Sequence, residues 1–209
     1  PVISISFADV KQTNYKDAVQ KIKNIIAEAY ADFPFLYEWE GLLENQKQQL
    51  KMVTGGMDDV TAQDALKNLS CYLNRYYGQK VLVLLDEYDT PMQEAYIHGY
   101  WEEFTAFVRC LFNSTFKTNP YMERGILTGI TTVSKESIFP DLNNLKVITL
   151  TSEEYADSFG FTQEEVFHAL DAYGLTEKNE LVKKWYDGFT IGKRKDIYNP
   201  WSILNFLDK

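Results

Sequence analysis

The chain has 209 residues and a formal net charge of −9, with 45% hydrophobic and 15% aromatic residues. That length and apolar content suit one large domain, or one domain with a small appendage, around a substantial core. The acidic balance opposes nonspecific binding to nucleic acid, no run approaches the ~18 apolar residues of a membrane helix, and no charged-apolar-small leader opens the chain, so a soluble, cytoplasmic protein without membrane contact is expected.

Val2 to Phe7 alternate and are β-prone, which predicts a strand almost at the terminus. Domains rarely begin mid-sheet, so the sequence is expected to start inside a longer protein. Asn14, with Asp17 three residues on, opens a helix whose stripe is Ala18, Ile22, Ile25, Ile26 and Ala29, and Pro34 ends it. A second helical stretch carries Leu42, Leu43, Gln46, Leu50 and Val53 and stops at Thr54-Gly55-Gly56. Thr61 and Asp64 predict a capping box for a third, with Ala65, Leu66, Leu69, Tyr72, Leu73 and Tyr76 on one side and Gly78 as its break.

Val81 to Leu85 are five uninterrupted aliphatic residues, the pattern of a strand buried on both faces of a parallel sheet. Asp86 and Glu87 then fall at the rim of that sheet, and Glu87 to Pro91 read as a loop. Trp101, Phe104, Phe107, Val108, Leu111 and Phe112 form an apolar helix face closed by Asn119-Pro120. Arg124 to Ile130 predict a third strand, Ser134 to Phe139 a short helical stretch, and Leu145 to Leu150 a fourth strand. This order is that of a doubly wound α/β domain over residues 1–151. From Ser152 the pattern is helical: Thr162 with Glu165 opens one helix, Thr176 another through Trp185, and Asn199-Pro200 a last. Tyr186 to Gly192 between them suggest a tight β-like turn. Residues 152–209 are therefore expected to be a small helical subdomain.

Cys71 and Cys110 sit in helical patterns and read as buried apolar residues in a reducing compartment. His98 and His168 are remote from each other, which gives a zinc site or a histidine-based triad little support. Lys193-Arg194-Lys195, with Lys183 and Lys184, read as a solvated turn.

The acid pair is the chemically informative feature. In P-loop nucleotide hydrolases the carboxyl end of such a strand holds nucleotide and magnesium, the first acid binding the metal through water and the second orienting the attacking water. Side chains of consecutive strand residues point to opposite faces, so each acid can serve one task. An aspartyl-phosphate enzyme needs a second Asp where Tyr88 stands. A helicase box fits Asp86-Glu87-Tyr88-Asp89 literally, but no Ser-Ala-Thr or arginine-rich segment accompanies it. The glycine-rich phosphate loop with Lys and Ser or Thr is missing, because Gly55-Gly56 lacks the residues that should follow. Its expected place is upstream of Pro1.

Six segments in order carry a resemblance: Val81 to Met92, Lys135 to Phe139, Leu142 to Leu145, Phe159 to Thr162, Trp185 to Phe189 and Tyr198 to Ser202. Together they resemble the bacterial AAA-ATPase-like family, a P-loop-NTPase-like α/β module usually followed by a PD-(D/E)xK nuclease-like domain. The resemblance implies a mostly parallel P-loop-NTPase-like sheet flanked by helices, a lid-like helical subdomain, and ATP and Mg2+ as cofactors. Asp86 would be the metal residue and Glu87 the water-activating acid, with Asp89 a further acid beside the cofactor. Thr128, or Thr131 just beyond it, stands where a polar sensor would read the γ-phosphate. Thr132 occupies a position where the family commonly has Arg, which leaves Lys135 as the nearest cation for transition-state charge, against its reading as a solvated lysine at a helix start. The Trp185 and Tyr198 motifs are expected to fix the appendage through aromatic packing.

Implied partners are the nuclease-like domain of the same protein, a second copy of the chain, and nucleic acid only through that domain. Without a phosphate loop the 209 residues alone are expected not to hydrolyse ATP. The phosphate-loop strand is usually central, so pairing edges should be exposed without it. Two other readings are a nucleotide-independent interaction module that keeps the fold, and a nucleic-acid-processing domain.

Overall fold

The structure is a computed structural model that describes residues 1–130, 145–186 and 188–208. It divides into two compact units, Pro1–Asn144 and Leu145–Lys209.

In the first unit β1 (Val2–Ser6), β2 (Val81–Asp86) and β3 (Met122–Leu127) form a parallel sheet in the order β1-β2-β3. The register sets Ile3 beside Val83 and Ile5 beside Leu85, and continues from Val83 to Gly125 and from Leu85 to Leu127. Parallel neighbours need long crossovers, which α1 (Tyr15–Ala31), α2 (Glu44–Met52) and α3 (Asp59–Tyr77) supply before β2, and α4 (Thr90–Ile97) and α5 (Trp101–Phe112) after it. An α/β architecture with a parallel sheet flanked by helices is therefore present.

Two of these helices, α1 and α3, begin where a side chain satisfies a free N–H group. Asn14 Oδ1 accepts from Asp17 N at 3.0 Å, as its spacing predicts. For α3 the cap is Asp58 rather than Thr61: Asp58 Oδ1 accepts from Thr61 N at 2.7 Å, so Thr61 lies inside the first turn. Gly78 ends that helix in the left-handed region, at φ +66°. A five-residue π-helical segment, Asn113–Lys117, extends α5 toward Asn119-Pro120.

The core lies on one side of the sheet. Ile3, Ile5, Val81, Val83 and Leu85 are buried there with Ile22, Ile26, Leu66, Leu69, Phe104, Val108 and Leu111. Each such side chain contributes roughly 1.5–3 kcal/mol. The expectation that β2 is buried on both faces is corrected, because Val2, Ser4, Ser6, Leu82 and Asp86 are exposed on the other side. An aliphatic run specifies a strand, and the elements packed on it decide how many of its faces are covered. Cys71 is buried but Cys110 is exposed, since position 110 falls off the stripe that buries Phe107, Val108 and Leu111.

The second unit also contains strands, which corrects the purely helical reading. β4 (Phe161–Thr162), β5 (Phe189–Ile191) and β6 (Arg194–Tyr198) form an antiparallel sheet in the order β4-β6-β5. Gly192, at φ +57°, makes the turn between β5 and β6. The helices are α6 (Gln163–Ala172), α7 (Asn179–Tyr186) and α8 (Pro200–Leu207). Thr162 and Glu165 form the predicted capping box, and Asn199 caps α8. Val166, Leu170, Val182, Tyr198 and Ile203 make the core, with Tyr186 packed against it. Trp185 and Trp201 are exposed, so the tyrosines of those motifs do the packing.

The fourth strand expected over Leu145–Leu150 does not form. Val147 and Leu150 are exposed, and the segment is tied down where Gly192 N donates to Leu150 O at 2.8 Å. The helical stretch expected near Ser134 lies outside the described residues. Among the described residues no helix is long and apolar enough to cross a membrane.

Candidate functional site

Because β1, β2 and β3 run parallel, their carboxyl ends share one rim. Pairing continues past the strands: Phe7 N donates to Asp86 O at 2.9 Å, Thr128 N to Leu85 O at 3.0 Å, and Tyr88 N to Thr128 O at 3.1 Å. The acid pair and the segment leaving β3 are thereby side by side.

Asp86 is the last residue of β2 and is exposed. Its Oδ1 accepts a hydrogen bond from the Thr128 hydroxyl, so the fold joins two residues that the sequence holds 42 positions apart. Glu87 adopts φ +50°, in the left-handed region. A non-glycine residue there carries strain of order 1–3 kcal/mol, and such positions concentrate at functional turns. Strand alternation therefore does not set the two acids apart: β2 ends at Asp86, and Glu87 is aimed by the turn. Thr90 secures that turn twice, with its N–H on Glu87 O at 3.2 Å and its hydroxyl on Glu87 Oε2 at 2.8 Å.

Thr90-Pro91 starts α4, with Pro in the first turn where its missing N–H is not needed. The loop expected over Glu87 to Pro91 therefore gives way to a helix from Thr90, a start that Pro91 signals. Asp89 is 1% exposed. Its Oδ2 accepts from Ile130 N at 3.1 Å and from Gln93 Nε2 at 3.0 Å. Gly129 makes this approach possible, because a Cβ there would stand 2.8 Å from Asp89 Cγ and 3.0 Å from Tyr88 Cε1.

Of the site residues expected from sequence, Asp86, Glu87, Asp89 and Thr128 are thus gathered at one rim. Thr131 and Lys135 lie outside the described residues. Thr90, Gln93, Gly129 and the Ile130 backbone were not anticipated; only Thr90, three residues after Glu87 at a helix start, carried a recognisable spacing.

Asp86 and Glu87 are oxygen donors, of the kind hard cations prefer. Among the described residues no group of three or more His, Cys, Asp or Glu could hold a metal. That donor set fits Mg2+, which is commonly held by one or two carboxylates together with water and substrate phosphates.

The AAA-ATPase-like family model, described as a predicted AAA-ATPase, matches residues 1–139. An uncharacterized protein in the vnfD 5'region of Azotobacter chroococcum mcd 1 is 30% identical over 135 residues, an alignment covering 63% of this chain and 25% of that protein. The matched region therefore spans a quarter of that relative's length. No solved structure matches the chain.

Proposed function

This chain belongs to the AAA-ATPase-like family, and from that premise we propose that it carries the acidic half of a magnesium–ATP site in a larger protein. The observation behind the proposal is the carboxylate of Asp86 at the rim of a parallel sheet, receiving the Thr128 hydroxyl beside a left-handed Glu87.

In this reading Asp86 would hold the metal. Glu87 orients the attacking water and takes its proton, a role for which the Thr90 hydroxyl must yield Glu87 Oε2. Thr128 senses the terminal phosphate from the adjoining strand, with Thr131 and Lys135 as further candidates beyond it. Bound Mg2+ would neutralise charge on the phosphate oxygens. The phosphate-binding amides and lysine would come from a strand beside β3, which has one sheet neighbour among the described residues. ATP binding or hydrolysis controls an attached nuclease-like domain, in a cytoplasmic protein.

Steady-state hydrolysis of Mg-ATP by the full-length protein tests this. Glu87→Gln should lower kcat by about 10²-fold or more, the usual effect of losing a general base. Equal turnover in wild type and variant would remove Glu87 from the chemistry. One observation favours the rival reading, a nucleotide-independent module: the Glu87 carboxylate is already engaged by Thr90. In that case neither variant nor wild type would turn over ATP.

A further inference from the structure

The geometry points to Asp89 as the positioning residue that locks the acid loop to the outgoing end of β3, keeping the Thr128 hydroxyl on Asp86. Its effect on turnover rests on the magnesium–ATP reading above; the lock itself does not.

A carboxylate that is 1% exposed has almost no surface to offer a nucleotide, unlike the exposed Asp86 or the half-buried Glu87. Burying such a group is unfavourable unless donors surround it. Among the described residues, donors reach it from two different elements. Gln93 lies one turn along α4, while the Asp89 carbonyl accepts from Met92 N and Gln93 N, each at 3.0 Å, which roots the residue in that helix. Ile130 N lies beyond the strand pairing of β3.

The Ile130 side chain is 87% exposed, so side-chain packing does not hold that segment in place. Its backbone N–H does, and the receiving atom is Asp89 Oδ2. Gly129 completes the device, since any Cβ would push the two segments apart. Thr128 is one residue earlier. Its backbone is paired with Leu85 O and Tyr88 N, and slack at 129–130 loads those two bonds and, through them, the hydroxyl that meets Asp86. Asp89 acts through Thr128 and Asp86 instead of touching substrate.

The test uses the full-length protein with Asp89→Ala and Asp89→Asn, read by hydrogen exchange across residues 127–131 and by steady-state Mg-ATP hydrolysis. In Asp89→Ala the Ile130 amide should exchange roughly tenfold faster or more while amides of the α3 core are unchanged. Its kcat should fall about tenfold with KM for ATP held within about threefold, because ground-state binding is not what is lost. Asp89→Asn, which keeps one oxygen acceptor, should recover most of both. If Asp89→Ala does not fold, Gly129→Ala, which keeps the carboxylate group but pushes it away from the 129–130 segment, should give the same loss of kcat.

Unchanged exchange at Ile130 in Asp89→Ala would overturn the lock. Faster exchange with wild-type kcat would overturn the positioning role. A wild-type protein without turnover would overturn hydrolysis and the kcat effect alone, and Ile130 exchange would then decide the lock by itself.

Discussion

At the scale of single residues, the site depends on close approach more than on charge alone. Gly129→Ala should destabilise the fold by roughly 1–3 kcal/mol, the usual range for overpacking, because the added methyl meets the Asp89 carboxylate and the Tyr88 ring. Urea unfolding of the two proteins measures it, and an unchanged midpoint would mean that this contact relaxes freely. The same residues show what a sequence reveals. Asp86 was legible because an acid ending an aliphatic run has few places to be other than a sheet rim. The burial of Asp89 was not legible, since one of its donors is a backbone N–H that lies 41 residues away and belongs to a residue with no distinctive side chain. The left-handed turn at Glu87 was equally hidden, because only the fold shows that Glu87 leaves the strand.

At the scale of elements, local chemistry predicted ends well where one side chain met one backbone group. Asn14, Thr162 and Asn199 each cap the helix their spacing announces. The α3 start was misplaced because Asp58 and Thr61 both offer plausible caps, and tertiary packing of Ala62, Ala65 and Leu66 admits the earlier one. Asp58→Ala should therefore cost about 1 kcal/mol of stability, while Thr61→Ala should stay within about 0.5 kcal/mol. Thermal or urea unfolding of both variants separates them, and equal losses would return the cap to Thr61. Leu145 to Leu150 failed as a strand for a different reason: β-propensity there has no ladder to satisfy, and Val147 and Leu150 face solvent. The two-residue β4 could not be read at all, since its pairing with β6 fixes it.

At the scale of the whole molecule, each unit carries its own core, and the crossover helices of the first unit bury phenols deep inside it. Burial pushes Tyr72 from an ordinary value of 10.0 up to about 12, and raises Tyr30 well above that ordinary value. Both donate from a protonated oxygen, Tyr30 to Ala65 O at 2.7 Å and Tyr72 to Gln49 Oε1 at 3.3 Å. The folded state thus favours the neutral phenols. Their contribution is complete below pH 10 and is lost as pH rises toward about 12, where the unfolded chain releases protons that the fold retains. Urea midpoints taken from pH 9 upward should fall over that window, and Tyr72→Phe should flatten the decline; a midpoint insensitive to pH there would contradict the assignment.

The same three-stranded sheet sets the functional question, because β3 has a neighbour on one side only among the described residues. The α/β core was legible from order and spacing. The exposed sheet face was not, because a run of aliphatic residues looks alike whether one face or two are covered. What the acid rim does is decided most directly by equilibrium binding of ATP to the full-length protein, titrated with and without Mg2+. We expect saturable binding that requires Mg2+ and weakens at least about tenfold in Asp86→Asn, which removes the metal-binding charge. Binding that ignores both Mg2+ and the substitution, or no binding at all, would contradict the account.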